Sequence, residues 1–561
     1  MSARDDFDVV VVGAGAGGGA MAWRLVQQGL RVLLLDAGPA FDPATDYPLD
    51  RADWESRHFP VKPGSRGQYT FAPMQGLEAA HDDLRSWNRV QGRLNRGDRR
   101  LPAGPGYHHV RGIGGSTLHY TGEAHRLNPR AMKLRSEHGV GADWPLDYTA
   151  LEPYYLEAER LVGVAGPDAT GDRWRSAPYP LPAHPLCRAS QWLAVGAGKL
   201  GWRWEPNPRA ALSRPYDGRP PCNYCGQCNR GCPRGDKGSA DVTFIAKARA
   251  SGRCEVRPDC TVVGLVVSGR RRIGAVDVVD GTGQRRRIDT PALVLAGGAI
   301  ETPRLLLLHN MQHPRQAIAA DGGQLGRNLL ESTGWTSVGL APEPLASHGG
   351  LPSDAICWDF NRPDARDGVV GGFRLSAAVH EADMTGPIAY ARRAVPGWGK
   401  GHQAAVRKAL GHAVAVAAIG EYLPHPGSFV DLDPSARDRH GLPLARIHSF
   451  NDARAVRLLA EMARSCRLLM QAAGVEDLVE EYGNYDYYSA AHVFGTCRMG
   501  TDPSSAVVDA DLAVHGWENL LVCDASVFPS SGGGEAPTLT LQALAIRAAD
   551  RLASRLFGKT V

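Results

Sequence analysis

Asp8-Val9-Val10-Val11-Val12-Gly13-Ala14-Gly15-Ala16-Gly17-Gly18 is the stretch on which the fold turns. The β-branched run reads as a buried parallel strand, and it passes directly into glycines. Ala20 to Gln28 then reads as a helix, and Arg31-Val32-Leu33-Leu34-Leu35 as a second strand ending at Asp36. Gly13 permits the tight turn, Gly15 lets the backbone approach a pyrophosphate, and Gly18 lets helix and strand pack closely. The free N–H groups and dipole of the helix start favour phosphate, and Asp36 is placed to accept hydrogen bonds from a ribose. Strand, glycines, helix, strand and acid in register predict a dinucleotide-binding unit. At this point FAD and NAD remain equally open.

Outward from that unit, the composition sets bounds. The chain has 561 residues, 43% hydrophobic and 22% charged, enough for several domains and a large core. A net charge of +4 argues against nucleic acid or a membrane surface as partner. The 66 Gly and 39 Pro predict many tight turns without low complexity. From Val9 to Trp23 no charge occurs, but this stretch is too short to span a bilayer. Asp5, Asp6 and Asp8 precede it where an export signal would be basic. The expectation is a chain without its own signal, hence cytoplasmic, and periplasmic only if co-exported with a partner subunit.

Eleven cysteines, an odd number, do not suggest a disulfide framework. Four of them, Cys222, Cys225, Cys228 and Cys232, follow C-x2-C-x2-C-x3-C-P, the spacing of bacterial iron–sulfur runs. Lacking a second run, they predict a [4Fe–4S] cluster on all four thiolates or a [3Fe–4S] cluster on three. A tetrahedral zinc site and a bare loop are the alternatives. Arg230, Arg234 and Lys237 would offset the cluster's charge, or form a solvated face.

Several distant segments resemble the glucose–methanol–choline (GMC) oxidoreductase family. They are His109-Val110-Arg111-Gly112-Ile113-Gly114-Gly115-Ser116-Thr117-Leu118-His119-Tyr120; Asp143-Trp144-Pro145-Leu146 with Leu151-Glu152-Pro153-Tyr154-Tyr155; Leu293 to Pro303; and His492 to Gly500 with Asn519 to Ser526. The resemblance covers about Asp8 to Leu556 and implies FAD as the cofactor. It implies an α/β fold: a discontinuous Rossmann-like FAD-binding domain and a substrate-binding domain on an antiparallel sheet. The expected boundaries are 1–330, with an irregular excursion at 46–104 and the Cys-rich loop 222–232; 331–484 for substrate; and 485–561 returning to the FAD domain. By resemblance, Arg111, Gly114, Gly115, Ser116 and His119 lie along the flavin and pyrophosphate, and His119 is a position that some relatives link covalently to it. Val262 would contact adenine through its backbone, Asp524 and Ala525 a ribityl or phosphate-side hydroxyl, and Pro537 and Thr538 the pyrimidine end.

His492 matches the family's base, and imidazole suits removal of a hydroxyl proton as hydride leaves for flavin. The family's second His or Asn is here Ala536, which cannot bond a substrate hydroxyl. Glu535, one position earlier, is expected to point elsewhere. Three readings follow. The first is an FAD-dependent dehydrogenase for an alcohol, sugar or polyol, sending electrons through the cluster to a non-oxygen acceptor. The second is an oxidase or dehydrogenase with a bare loop, using oxygen or quinone. The third is a flavin reaction other than alcohol oxidation, or a non-catalytic partner. Relatives with such a loop imply a small subunit and a cytochrome or quinone acceptor. Arg362, Arg366, Arg374, Arg392 and Arg393 could favour anionic or sugar hydroxyl ligands, with surface solvation expected for most, and the apolar positions between Ala453 and Ala473 read as a core stripe.

Overall fold

A computed structural model of the chain describes residues 7–47, 67–168, 173–364, 366, 368–475 and 477–559. Val9–Val12 forms the middle strand of a five-stranded parallel sheet, with Val32–Leu35 and Ala292–Leu295 on either side. Cys254–Arg257 and Leu520–Val522 complete the edges, both parallel. Strands more than 500 residues apart thus share one sheet, as the discontinuous domain requires. The run of valines and leucines is almost wholly buried, because helix Ala16–Gln27 and a three-stranded antiparallel sheet of Thr261–Val267, Ile273–Val279 and Arg285–Asp289 both pack against it.

The first helix is Ala16–Gln27, four residues longer at its start than the periodicity indicates. Its opening glycines are forced by contact. A Cβ on Gly18 would stand 1.9 Å from the Gly13 carbonyl oxygen, and one on Gly17 2.1 Å from that of Cys523. Packing thereby outweighs the helix cost of glycine, roughly 1 kcal/mol per residue. The C-terminal helix Thr538–Phe557 lies against Ala16–Gln27, and Arg24 Nε reaches Asp550 Oδ1 at 2.6 Å.

An eight-stranded antiparallel sheet makes the second layer system. Its centre is Thr333–Leu340, Phe373–Ala377, Ala413–Gly420 and Leu478–Gly483, all within the predicted 331–484 block. It also takes Trp87–Asn88 and Gly92–Arg93 from the excursion, and Glu205–Pro206. The described part of 46–104 is therefore partly strand; the rest, 48–66, lies outside the described residues. Helix Ala453–Ala472 covers the sheet with Val456, Leu459, Met462, Cys466 and Leu469 buried, as its stripe predicts. Among the described residues, no helix is long and apolar enough to cross a membrane.

Candidate active site

A cavity of about 1530 Å³ runs from the glycine loops of the parallel sheet to the floor of the antiparallel one. At one end, Gly13 turns with φ +106°. A Cβ on Gly15 would meet nothing nearer than the Gly115 Cα at 3.9 Å, so this cradle is open on the cavity side. The amide of Gly114, itself at φ +106°, donates to the Ala14 carbonyl at 2.8 Å and locks the two glycine loops together. Asp36 is buried and receives the amides of Ala14 and Gly38, each at 2.9 Å. Burial pushes its carboxyl up, while those two amides hold it down.

Asp524 anchors the opposite wall. Gly298 N–H donates to it at 2.9 Å and Thr302 Oγ at 2.5 Å, which ties the strand at 520–522 to the helix Gly298–Gln312. Arg111, Ser116, His119, Val262, Ala525, Pro537 and Thr538 also line the cavity. Gly18 and Gly114 do not; they act behind it, in packing. The shape is long, walled by backbone, open for phosphates at a helix start and acidic where ribose hydroxyls would sit. A dinucleotide such as FAD fits it.

His492 sits where two chain segments cross. Leu330–Glu331 pairs antiparallel with Val493–Phe494, so Ser332 falls opposite His492. Ser332 N–H donates to the His492 carbonyl at 3.3 Å, and its hydroxyl is 3.2 Å from Nδ1. Burial lowers the imidazole pKa to about 4; the nearby Glu123 charge raises it and Arg374 opposes.

Ala536 also lines the cavity, but its N–H is taken by His125 Nδ1 at 3.0 Å. That ring's Nε2 faces Asn207 Oδ1 at 2.7 Å, so Nε2 carries the proton. Glu535 points away, as expected. It is buried against Arg173, Asn361 and the Asn128 amide and does not reach the cavity.

The sequence reading missed the polar groups opposite Ala536. Arg374 is 1% exposed, not surface. It donates from Nε to the Gly534 carbonyl at 2.9 Å and from Nη2 to Glu123 Oε2 at 2.6 Å. Although burial pushes the Glu123 carboxyl up, Arg374 and His125 outweigh it and hold its pKa at about 2. Both residues line the cavity, as do Ser353, Ser376 and Glu381. One signal was available: Arg374 interrupts the apolar strand Phe373–Ala377, where a lone charge needs a buried partner.

The four loop cysteines do not line the cavity. Cys228 is buried, Cys225 exposed and the other two intermediate. Burial raises the thiol pKa values of Cys222, Cys228 and Cys232, and Asp236 receives the Cys232 thiol at 3.1 Å. Among the described residues, no three His, Cys, Asp or Glu side chains gather as a metal ion needs, which weighs against the zinc and the iron–sulfur readings alike. The loop is nevertheless fastened to the cavity on two sides. Buried Lys237 Nζ donates to the carbonyls of Cys228 (2.7 Å), Leu118 (2.9 Å) and Tyr120 (3.0 Å). Arg230, which lines the cavity, meets Asp383 at 2.7 Å.

A GMC oxidoreductase family model matches residues 148–333 and 424–545, and an NAD(P)-binding Rossmann-like model matches residues 11–42. The fructose dehydrogenase large subunit of Gluconobacter japonicus is 31% identical over 98% of both chains. The chain belongs to the GMC oxidoreductase family. Its similarity extends to 2-methyl-1,2-propanediol dehydrogenase of Mycolicibacterium austroafricanum, 29% identical over 99% of this chain and 96% of that one. Pyridoxine 4-oxidase from Mesorbium loti superposes with a TM-score of 0.63 at 19% identity, covering 97% and 99% of the two chains. GMC oxidoreductases bind FAD and act on CH–OH groups, and the Rossmann-like sheet of this GMC oxidoreductase is built accordingly.

Proposed function

We propose that the protein oxidises an alcohol, sugar or polyol hydroxyl, with His492 taking the hydroxyl proton as hydride leaves the carbinol carbon. The observation that carries this reading is that His492 lines the same cavity as the glycine loops, where burial lowers the pKa of its imidazole. Bound FAD supplies the hydride acceptor. Gly13, Gly15, Arg111, Gly115 and Ser116 would hold its phosphates and flavin edge, Asp36 and Val262 its adenosine end, and Asp524, Ala525, Pro537 and Thr538 the ribityl and pyrimidine parts. Ser332 orients the imidazole, leaving its other nitrogen for substrate. The Glu123 carboxylate, ionised by its contact with Arg374, stabilises the imidazolium once the proton has moved. Arg374 and Glu123 furnish polar contacts near Ala536 that the Ala side chain lacks.

Cys222, Cys225, Cys228 and Cys232 would hold an iron–sulfur cluster that carries electrons outward to a non-oxygen acceptor. Their spacing supports this, and so does the fastening of their loop by Lys237 to the backbone beside His119. The likeness to a protein described as a large subunit supports a partner subunit here too.

The test is anaerobic stopped-flow with sugars, polyols and simple alcohols, following loss of the oxidised flavin absorbance. His492→Ala is expected to keep FAD but slow its reduction by about 10²-fold or more, the scale of a lost general base. Unchanged reduction kinetics in that variant would sink the assignment.

A further inference from the structure

In the half of the cavity that holds His492, most ionisable side chains are paired. Glu123 lies against Arg374 at 2.6 Å and Asp383 against Arg230 at 2.7 Å. Glu381 lines the same space and, among the described residues, has no ion-pair partner. It is exposed, and it lines the cavity. The surrounding protein pushes its carboxyl up to about 7, the nearby Glu123 charge adding to the burial.

A second observation concerns how Glu381 is held. The Ser353 hydroxyl donates to its Oε1. Ser353 itself adopts φ +47°, a left-handed conformation costly for a residue with a side chain. Its carbonyl receives Asn207 Nδ2 at 2.9 Å and Arg209 Nη1 at 3.0 Å, and Asn207 also donates to Glu123 Oε1 at 2.9 Å. One hydrogen-bonded chain therefore runs from Glu123, beside His492, through Asn207 and a strained serine, to Glu381. Thr336, Ser376 and Tyr482 also line the cavity, so its wall offers hydroxyl groups among the apolar side chains.

We propose that Glu381 is a specificity-determining residue that binds a second hydroxyl of a polyhydroxylated substrate while His492 acts on the first. The inference rests on the alcohol-oxidation reading and adds to it a substrate class and the side chain that selects it. A carboxyl group suits a hydroxyl partner because it accepts in either protonation state and, when protonated, also donates. A monohydric alcohol would leave the carboxyl and its serine facing an alkyl chain, a desolvation cost without compensation.

The experiment compares the holoenzyme with Glu381→Leu and Glu381→Gln, each checked for equal FAD content. The probes are a set of hexoses and hexitols, and 1-hexanol as a monohydric alcohol of similar length. The expected result for Glu381→Leu is a tenfold or greater rise in the polyol KM, a limiting flavin-reduction rate that changes far less, and no such rise for 1-hexanol. Glu381→Gln, which can still hydrogen-bond, should recover part of the loss. A polyol KM unmoved by Glu381→Leu, or an equal loss for 1-hexanol, overturns the role of Glu381 while leaving alcohol oxidation standing. If no probe of either kind reduces the wild-type flavin, both the reaction class and this specificity fall together.

Discussion

Glu421 is 1% exposed, and burial foremost, with the neighbouring Glu535 charge, pushes its carboxyl pKa up to about 8. In the unfolded chain the same group ionises near about 4.3. Between those values the native state holds a proton that the unfolded state has lost, so this contribution is greatest below about pH 4 and drains away as pH rises to 8. Glu421→Gln keeps the shape and removes the titration. Its Tm relative to wild type is expected to rise progressively from pH 5 to pH 8, read by thermal melts of the holoenzyme; parallel curves would refute the buried acid. Arg374 teaches the residue-scale lesson about legibility. Its charge is compensated by Glu123, 251 positions earlier, and no local pattern reveals a partner that far away.

At the scale of elements, the two ends of the glycine fingerprint do different work. Gly18 is needed for packing, since its Cβ would strike the Gly13 carbonyl, whereas Gly15 opens onto the cavity. Gly18→Ala is therefore expected to lower the Tm of the apoprotein and its yield. Gly15→Ala should melt close to wild type yet bind FAD roughly tenfold more weakly, measured by titration of apoprotein with FAD. Equal behaviour of the two variants would contradict this division. Strand 520–522 and the core stripe from Ala453 are legible because burial imposes a local period. Helix starts are less so: Thr538–Phe557 opens at Pro537 with no side-chain cap, so no capping residue marks its beginning.

For the whole molecule, the Cys-rich loop is the piece whose role reaches furthest. Lys237 ties it to the backbone beside His119, and Arg230 ties it to the turn holding Asp383, so it touches both halves of the cavity wall. Protein purified without oxygen is expected to contain about three or four iron atoms per chain. Cys228→Ser should lose most of that iron and the broad absorbance beyond the flavin bands while keeping FAD. An iron-free protein that still passes electrons to a non-oxygen acceptor would remove the cluster from the scheme.

The order of residues determined by itself the Rossmann-like unit and, through family resemblance, the cofactor class, and it raised the expectation of a base at His492 and the anomaly at Ala536. Each depends on neighbours in the chain: a strand period, a glycine spacing, a motif. Tertiary structure alone decided what lies near Ala536, how the Cys-rich loop joins the cavity, and that Glu381, among the described residues, stands without an ion-pair partner. Those facts depend on which distant groups share a low-dielectric space, and charge compensation there is set by distance through the fold rather than along the chain.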